Sequence, residues 1–274
     1  MKALWKGSVS FGLVSIPVRL YTAVQEKSLK FHLLHKDDGG RLRYKRVCSK
    51  CGEEVGWDDI VRGYEYSKDH YVVFTDEELR AAEVDSVRAI DIVSFVPLED
   101  IDPVYYDRTY YVVPEPSGLK AYRLLAQALE AEGQVGIAKV ALREKEHLAT
   151  VRLKDDVFVL ETMHWPDEIR TPEFEELAKN VQVRDQEVKM ARQLIQQLAG
   201  EFEPEQFRDE YRARLEELVE KKVEGEQVTV APEPETEPTK VVDLMEALKA
   251  SVEEAKEKRG SPQKKTTRRK ASAS

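Results

Sequence analysis

Hydrophobic positions over residues 8–24, SVSFGLVSIPVRLYTAV, alternate with a period of two. Val9, Phe11 and Leu13 share one face; after a shift of register, Val14, Ile16, Val18 and Leu20 share another. The pattern predicts one or two β-strands, and Pro17, which has no N–H to donate, predicts an edge or a bulge. Further strands are predicted at KFHLL (30–34), RLRYKRV (41–47), HYVVF (70–74), AIDIVSFV (89–96), RTYYVV (108–113), QVGIAKVAL (134–142), LATVRL (148–153) and DVFVLETM (156–163). Many short strands separated by Gly, Pro and Asp predict a barrel or a sandwich. One helix interrupts them: Leu119, Tyr122, Leu125 and Leu129 share a face, and Gly133 marks the stop.

After about residue 170 the period lengthens to that of a helix. Val188, Ala191, Leu194, Ile195 and Leu198 form one stripe closed by Gly200. Pro204 is predicted to open a second helix, with Phe207, Tyr211, Leu215 and Leu218 as its stripe and Gly225 as its end. Two such helices serve either as plain core helices or as an arm that contacts a second copy. Residues 226–239, EQVTVAPEPETEPT, are rich in Pro and Glu and predict a disordered linker. Helical spacing returns in DLMEALKASVEEAKEKR, where Leu244, Met245, Leu248, Val252 and Ala255 lie on one side and Asp243 with Glu246 predicts a capping box. A helix behind such a tether suits docking to a partner better than packing on its own core.

Charge changes this picture. The 274 residues carry a net charge of −9, but residues 1–62 carry +5 and residues 256–274 carry +7, which leaves −21 on the stretch between. An acidic body with two basic regions predicts localised contacts with anions. In the first region, a strand over 41–47 would project Arg41, Arg43 and Lys45 from one face at roughly 6.7 Å intervals, with Arg46 opposite. Lys36, Lys50 and Arg62 extend the strip. Such spacing suits a rod of phosphates, contacted without reading bases; the alternative is a solvated charged strand. The C-terminal run Lys264, Lys265, Arg268, Arg269, Lys270 is either a DNA-binding tail or a solubilising one.

The two cysteines, Cys48 and Cys51, are separated by two residues and provide no disulfide framework. They supply half of a zinc site. His32 and His35 lie upstream, yet no second C-x-x-C and no following H-x₃₋₅-H completes the set. Reduced thiols in a turn are the simpler expectation, and no metal or other cofactor is expected. No phosphate loop, nucleophile elbow or H-E-x-x-H is present, so no enzyme is expected. No apolar run approaches the ~18 residues that a membrane span needs, and MKALWKGSVSFG lacks a signal peptide's apolar stretch. The expectation is a soluble protein of the cytoplasm, associated with the nucleoid.

Taken together, WKGSVSFGLVSIPVRLYTA, LLHKDDGGRLRYKRVCSKCG, DIVRGYEY, YVVFTDEEL, IDPVYYDRTYYVVPE, KAYRLLAQAL and VLETMHWPDEIR closely resemble the bacterial Ku family over residues 1–225. VVDLMEALKASV resembles that family's C-terminal conserved segment. The resemblance implies an α+β fold: a β-barrel core carrying an inserted bridge that encircles DNA, then a helical arm and a flexible tail. By position, residues 1–170 are the core with the bridge at about 36–68, 171–225 the arm, 226–239 the linker, 240–258 a partner-docking helix and 259–274 a basic tail. It implies a homodimeric ring that binds ends of double-stranded DNA in non-homologous end joining and recruits an ATP-dependent ligase, ligase D. Arg41, Arg43, Lys45 and Arg46 would line the hole, with Lys36, Lys50, Arg62, Lys6 and Arg19 as further contacts. Leu244, Met245, Leu248 and Val252 would meet the ligase. The alternative is an adaptor in DNA repair whose affinity for DNA is incidental.

Overall fold

The computed structural model describes residues 1–82, 88–142, 145–225 and 244–260. The chain divides into two compact units, residues 1–172 and 173–274.

Unit one is built on β1 (Trp5–Phe11) and β2 (Val14–Thr22), an antiparallel hairpin that turns at Gly12 with φ of 58°. The single period-two run thus becomes two strands. The chain then leaves the barrel and forms the antiparallel pair β3 (Arg62–Ser67) and β4 (His70–Phe74), followed by the short helix α1 (Asp76–Ala81). It returns as β5 (Ala89–Pro97) and β6 (Tyr106–Pro114), crosses in helix α2 (Leu119–Glu132), and finishes with β7 (Gln134–Leu142), β8 (Lys145–Lys154) and β9 (Val157–Met163). The strands close into a seven-stranded barrel in the order β1-β2-β6-β9-β8-β7-β5, sealed by a parallel pairing of β5 with β1. No helix among the described residues is long and apolar enough to cross a membrane.

Pro17 is tolerated because β2 pairs with β6 only from Val18 onward, so it lies where one neighbour is absent. Asp155 and Asp156, with φ of 47° and 62°, make the two-residue turn between β8 and β9, and short polar side chains accept that backbone best. Alternate residues of the strands point inward: Val9, Ile16, Val18, Leu20, Ile90, Val112, Val140, Val151, Phe158 and Leu160 form the core. Helix α2 adds Tyr122, Leu125 and Leu129 to it and ends at Gly133 in the left-handed conformation that glycine adopts freely. The Tyr122 hydroxyl donates to the Val112 carbonyl at 2.8 Å and accepts from the Phe158 N–H at 2.6 Å. The two rings stand 4.4 Å apart.

Two expected strands are not strands. Residues 30–34 and 41–47 make only isolated pairings, Leu34 with Arg41 and Val47 with Glu54. The Leu42 N–H donates to the Leu33 carbonyl and the Val55 N–H to the Arg46 carbonyl in tight reversals, and the apolar side chains Phe31, Leu33, Leu42 and Tyr44 stay exposed with no core to pack on. β3 and α1 went unpredicted; α1 starts in a capping box of Thr75 and Glu78.

Unit two holds α3 (Asp185–Leu198), α4 (Glu210–Val223) and α5 (Leu244–Gly260). Pro204 opens only a single tight turn; α4 begins at Glu210, capped by Asp209, whose carboxylate accepts from the Arg212 N–H at 2.9 Å. Phe207 therefore precedes the helix and stacks on Phe202. The expected α3 stripe divides. Ala191 and Leu194 are half-buried, whereas Val188, Ile195 and Leu198 are exposed. Helix α5 packs against α3, burying Val252 and Ala255. The expected linker 226–239, the expected capping residue Asp243 and the tail cations Lys264, Lys265, Arg268, Arg269 and Lys270 lie outside the described residues.

Candidate nucleic-acid interface

Between β2 and β5 the chain spends residues 23–82 on an excursion in which no residue is buried. Phe31, Leu33, Leu42, Tyr44, Trp57, Tyr64, Tyr66, Tyr71 and Val73 are all exposed there. A segment of this length has no core of its own and holds aromatic side chains beside cations at the surface.

Two hooks shape its first half. In the hook over 33–42, the His35 N–H donates to the Gly40 carbonyl, the Gly39 N–H to the His35 carbonyl, and the Leu42 N–H to the Leu33 carbonyl. In the hook over 46–55, the Cys48 N–H donates to the Glu53 carbonyl, the Gly52 N–H to the Cys48 carbonyl, and the Val55 N–H to the Arg46 carbonyl. Gly39 and Gly52 both take positive φ, 70° and 77°. The second hook repeats the first at an offset of thirteen residues, with H-K-D-D-G in one and C-S-K-C-G in the other. That repeat is legible in the sequence once the spacing of ligand-type residues before a glycine is compared, and it was missed.

The hooks present the cations. Arg41 donates to His32 Nδ1 at 2.9 Å, and Lys45 pairs with Glu54 at 2.6 Å. The Arg46 guanidinium carbon sits 3.6 Å from the centroid of the Trp57 ring. Arg62, at the start of β3, pairs loosely with Asp76 at 3.9 Å. Lys36 and Lys50 stand exposed in the two turns. Arg43 is exposed and makes no hydrogen bond, ion pair or ring contact among the described residues. These ties are weak. An exposed ion pair is worth about 0–1 kcal/mol, and an exposed cation–π contact about 0.5–1 kcal/mol. The cations are thus held by ties weak enough to be exchanged.

Lys6 and Arg19, far apart in sequence terms, are directly opposite each other across β1 and β2. Like charges so placed repel. Glu115 offsets this by accepting from Arg19 Nε at 3.0 Å, and that hydrogen bond raises the guanidinium's pKa further above its ordinary value. An anion at this second patch must compete with Glu115 for Arg19.

Cys48 is half-buried and Cys51 exposed, both as free thiols. The backbone N–H groups of Cys51 and Lys50 aim at the Cys48 sulfur and lower its pKa, with a further contribution from the Cys51 thiol. His35 Nδ1 lies 2.9 Å from Asp38 Oδ1. No group of three or more His, Cys, Asp or Glu side chains converges on one point among the described residues. Of the proposed partner-binding residues, Val252 is 5% exposed, Met245 and Leu248 are half-buried, and Leu244 is exposed.

Comparison with known proteins follows the same outline. A family model described as the Ku70/Ku80 beta-barrel domain matches residues 10–190. The chain is 50% identical over 253 residues to "Non-homologous end joining protein Ku" of Desulfitobacterium hafniense, covering 92% of this chain and 87% of that protein. It is 40% identical over 291 aligned positions to the protein of the same name from Bacillus subtilis, covering 99% and 94%. The protein of that name from Mycobacterium tuberculosis is 40% identical over 259 residues, covering 92% and 95%.

Proposed function

The chain belongs to the Ku family, and from that premise we propose that it binds the ends of double-stranded DNA without reading their sequence, in non-homologous end joining. Two copies would close a ring around the duplex through the excursion at 23–82, and the ring would recruit an ATP-dependent ligase, ligase D, through the segment at 240–258. Arg41, Arg43, Lys45, Arg46, Lys36, Lys50 and Arg62 would meet the phosphates, with Lys6 and Arg19 as a second patch.

The observation that carries this reading is the excursion itself: residues 23–82 bury nothing, yet hold exposed aromatics beside cations. A monomer gains little by ordering such a segment, because no apolar burial offsets the lost chain entropy. A second copy and a duplex would each cover part of it. The exposed ridge Val188, Ile195 and Leu198 on α3 supports a further contact between copies.

The chemistry suits the task. Broken ends carry any sequence, so base readout would be a handicap, whereas phosphate contacts are indifferent to sequence. Cations with at most one weak tie each would permit sliding along the duplex, since no contact is bidentate to a base. Encirclement would give retention that equilibrium contacts alone do not.

The test compares one duplex as a linear molecule and as a covalently closed circle. Tight binding to the linear form, with little binding to the circle, is expected at the same salt concentration. Equal affinity for both forms would overturn the ring.

A further inference from the structure

We propose that Cys48 and Cys51 form the thiolate half of a zinc site at the mouth of the second hook, completed by ligands from outside that hook. The reversal over 46–55 is closed by three backbone hydrogen bonds of 2.8 to 2.9 Å and by Gly52 in the left-handed region. It therefore holds the two cysteines, three positions apart, on one short rigid turn. The thiolate is the form of a cysteine that binds metal. Two adjacent thiolates select a soft or borderline cation over magnesium or calcium, and zinc accepts two sulfurs with two further N, O or S ligands.

The first hook strengthens the assignment. The same backbone scheme places His35 and Asp38 where the second hook places Cys48 and Cys51. Asp38 holds the His35 imidazole at 2.9 Å, the arrangement a carboxylate uses to orient a metal-binding histidine. Tandem hooks of one geometry, each tipped by two ligand-type side chains, are more than a turn needs. The excursion also lacks any buried side chain. Small elements without a core are commonly held by a metal, whose binding free energy becomes folding free energy.

Metal analysis of the full chain, loaded with zinc and then desalted, tests this. About one zinc per chain, lost in His35→Ala, assigns the remaining ligands to the first hook of another copy. About one zinc per two chains, retained in His35→Ala, assigns them to the second hook of another copy. Either result supports the site, provided Cys48→Ser/Cys51→Ser loses the metal. Titrating the intact protein with cobalt(II) gives a second readout: thiolate-to-cobalt charge-transfer absorption in the near ultraviolet is expected. The barrel's thermal transition in the double variant checks that folding is preserved. No retained zinc and no charge-transfer band in the intact protein, or undiminished zinc in the double variant, overturns the proposal.

Discussion

The Arg46 guanidinium carbon lies 3.6 Å from the centroid of the Trp57 ring, eleven residues further along the excursion. The ring is 72% exposed, so the contact holds a cation at the surface rather than burying it. Trp57→Ala should free Arg46 without disturbing the barrel. Losing a contact of about 0.5–1 kcal/mol corresponds to about a 2- to 5-fold weaker hold on DNA ends, with Trp57→Phe closer to the parent. Fluorescence anisotropy on a short duplex reads this. Unchanged affinity in Trp57→Ala would mean that the position of Arg46 does not matter to binding.

The Arg43 side chain, like those of Lys36 and Lys50, makes no hydrogen bond, ion pair or ring contact among the described residues, so its charge is available to an anion. Arg43→Ala should weaken end binding evenly across duplex sequences and lower the salt slope by about one. Arg41→Ala and Lys45→Ala should cost less, because His32 and Glu54 already engage those side chains. An unchanged slope in Arg43→Ala would remove this residue from the interface.

Much of the fold was legible from period and punctuation. β4, β5 and β7 appear where alternation placed them, and α2 stops at the glycine that its stripe required. The excursion was not legible in that way. Residues 41–47 alternate charges, which mimics a strand, but their backbone hydrogen bonds go into hooks fixed by Gly39 and Gly52. A period detects packing against a core, and this segment has none. The candidate cations were legible as composition, while their partners His32, Glu54, Trp57 and Glu115 depend on turns and barrel register.

Tyr122 ties α2 to two strands at once, through the Val112 carbonyl and the Phe158 N–H. Tyr122→Phe leaves both groups buried without their partner. The cost should be about 1–3 kcal/mol in urea-induced unfolding of the barrel. Gly7→Ala should be worse, since its Cβ would overlap the Arg88 carbonyl and the Trp5 ring at the β1–β5 closure. Stability equal to the parent in Gly7→Ala would show that the seam is looser than it stands here.

Helix α5 packs on α3 with Val252 and Ala255 buried, so one of the residues proposed for a ligase, Val252, is covered within this protein. Val252→Asp should release the helix, seen as faster amide hydrogen exchange over 244–256 with the barrel unchanged. Ligase docking through a face that includes Val252 should fall in Val252→Asp, whereas docking through Leu244 alone should be insensitive to Val252→Asp and fall in Leu244→Ala. Slow exchange persisting in Val252→Asp would contradict the packing of α5 on α3.

Cys48 offers a pH test that needs no DNA. Its pKa is lowered chiefly by the N–H of Cys51 and then by that of Lys50. A folded-state pKa below the unfolded one means that the hook gains stability above the unfolded value and loses it as pH falls through the folded value. The same shift enlarges the thiolate fraction at any pH below the ordinary thiol range, and the thiolate is the species that alkylates. Site-resolved alkylation of metal-free protein should therefore give Cys48 a rate profile whose midpoint lies below that of a free thiol. Unfolding in urea should move the midpoint back up, because the two amides no longer converge on the sulfur. A Cys48 profile that is identical in folded and unfolded protein would show that the hook does not hold those amides on the sulfur in solution.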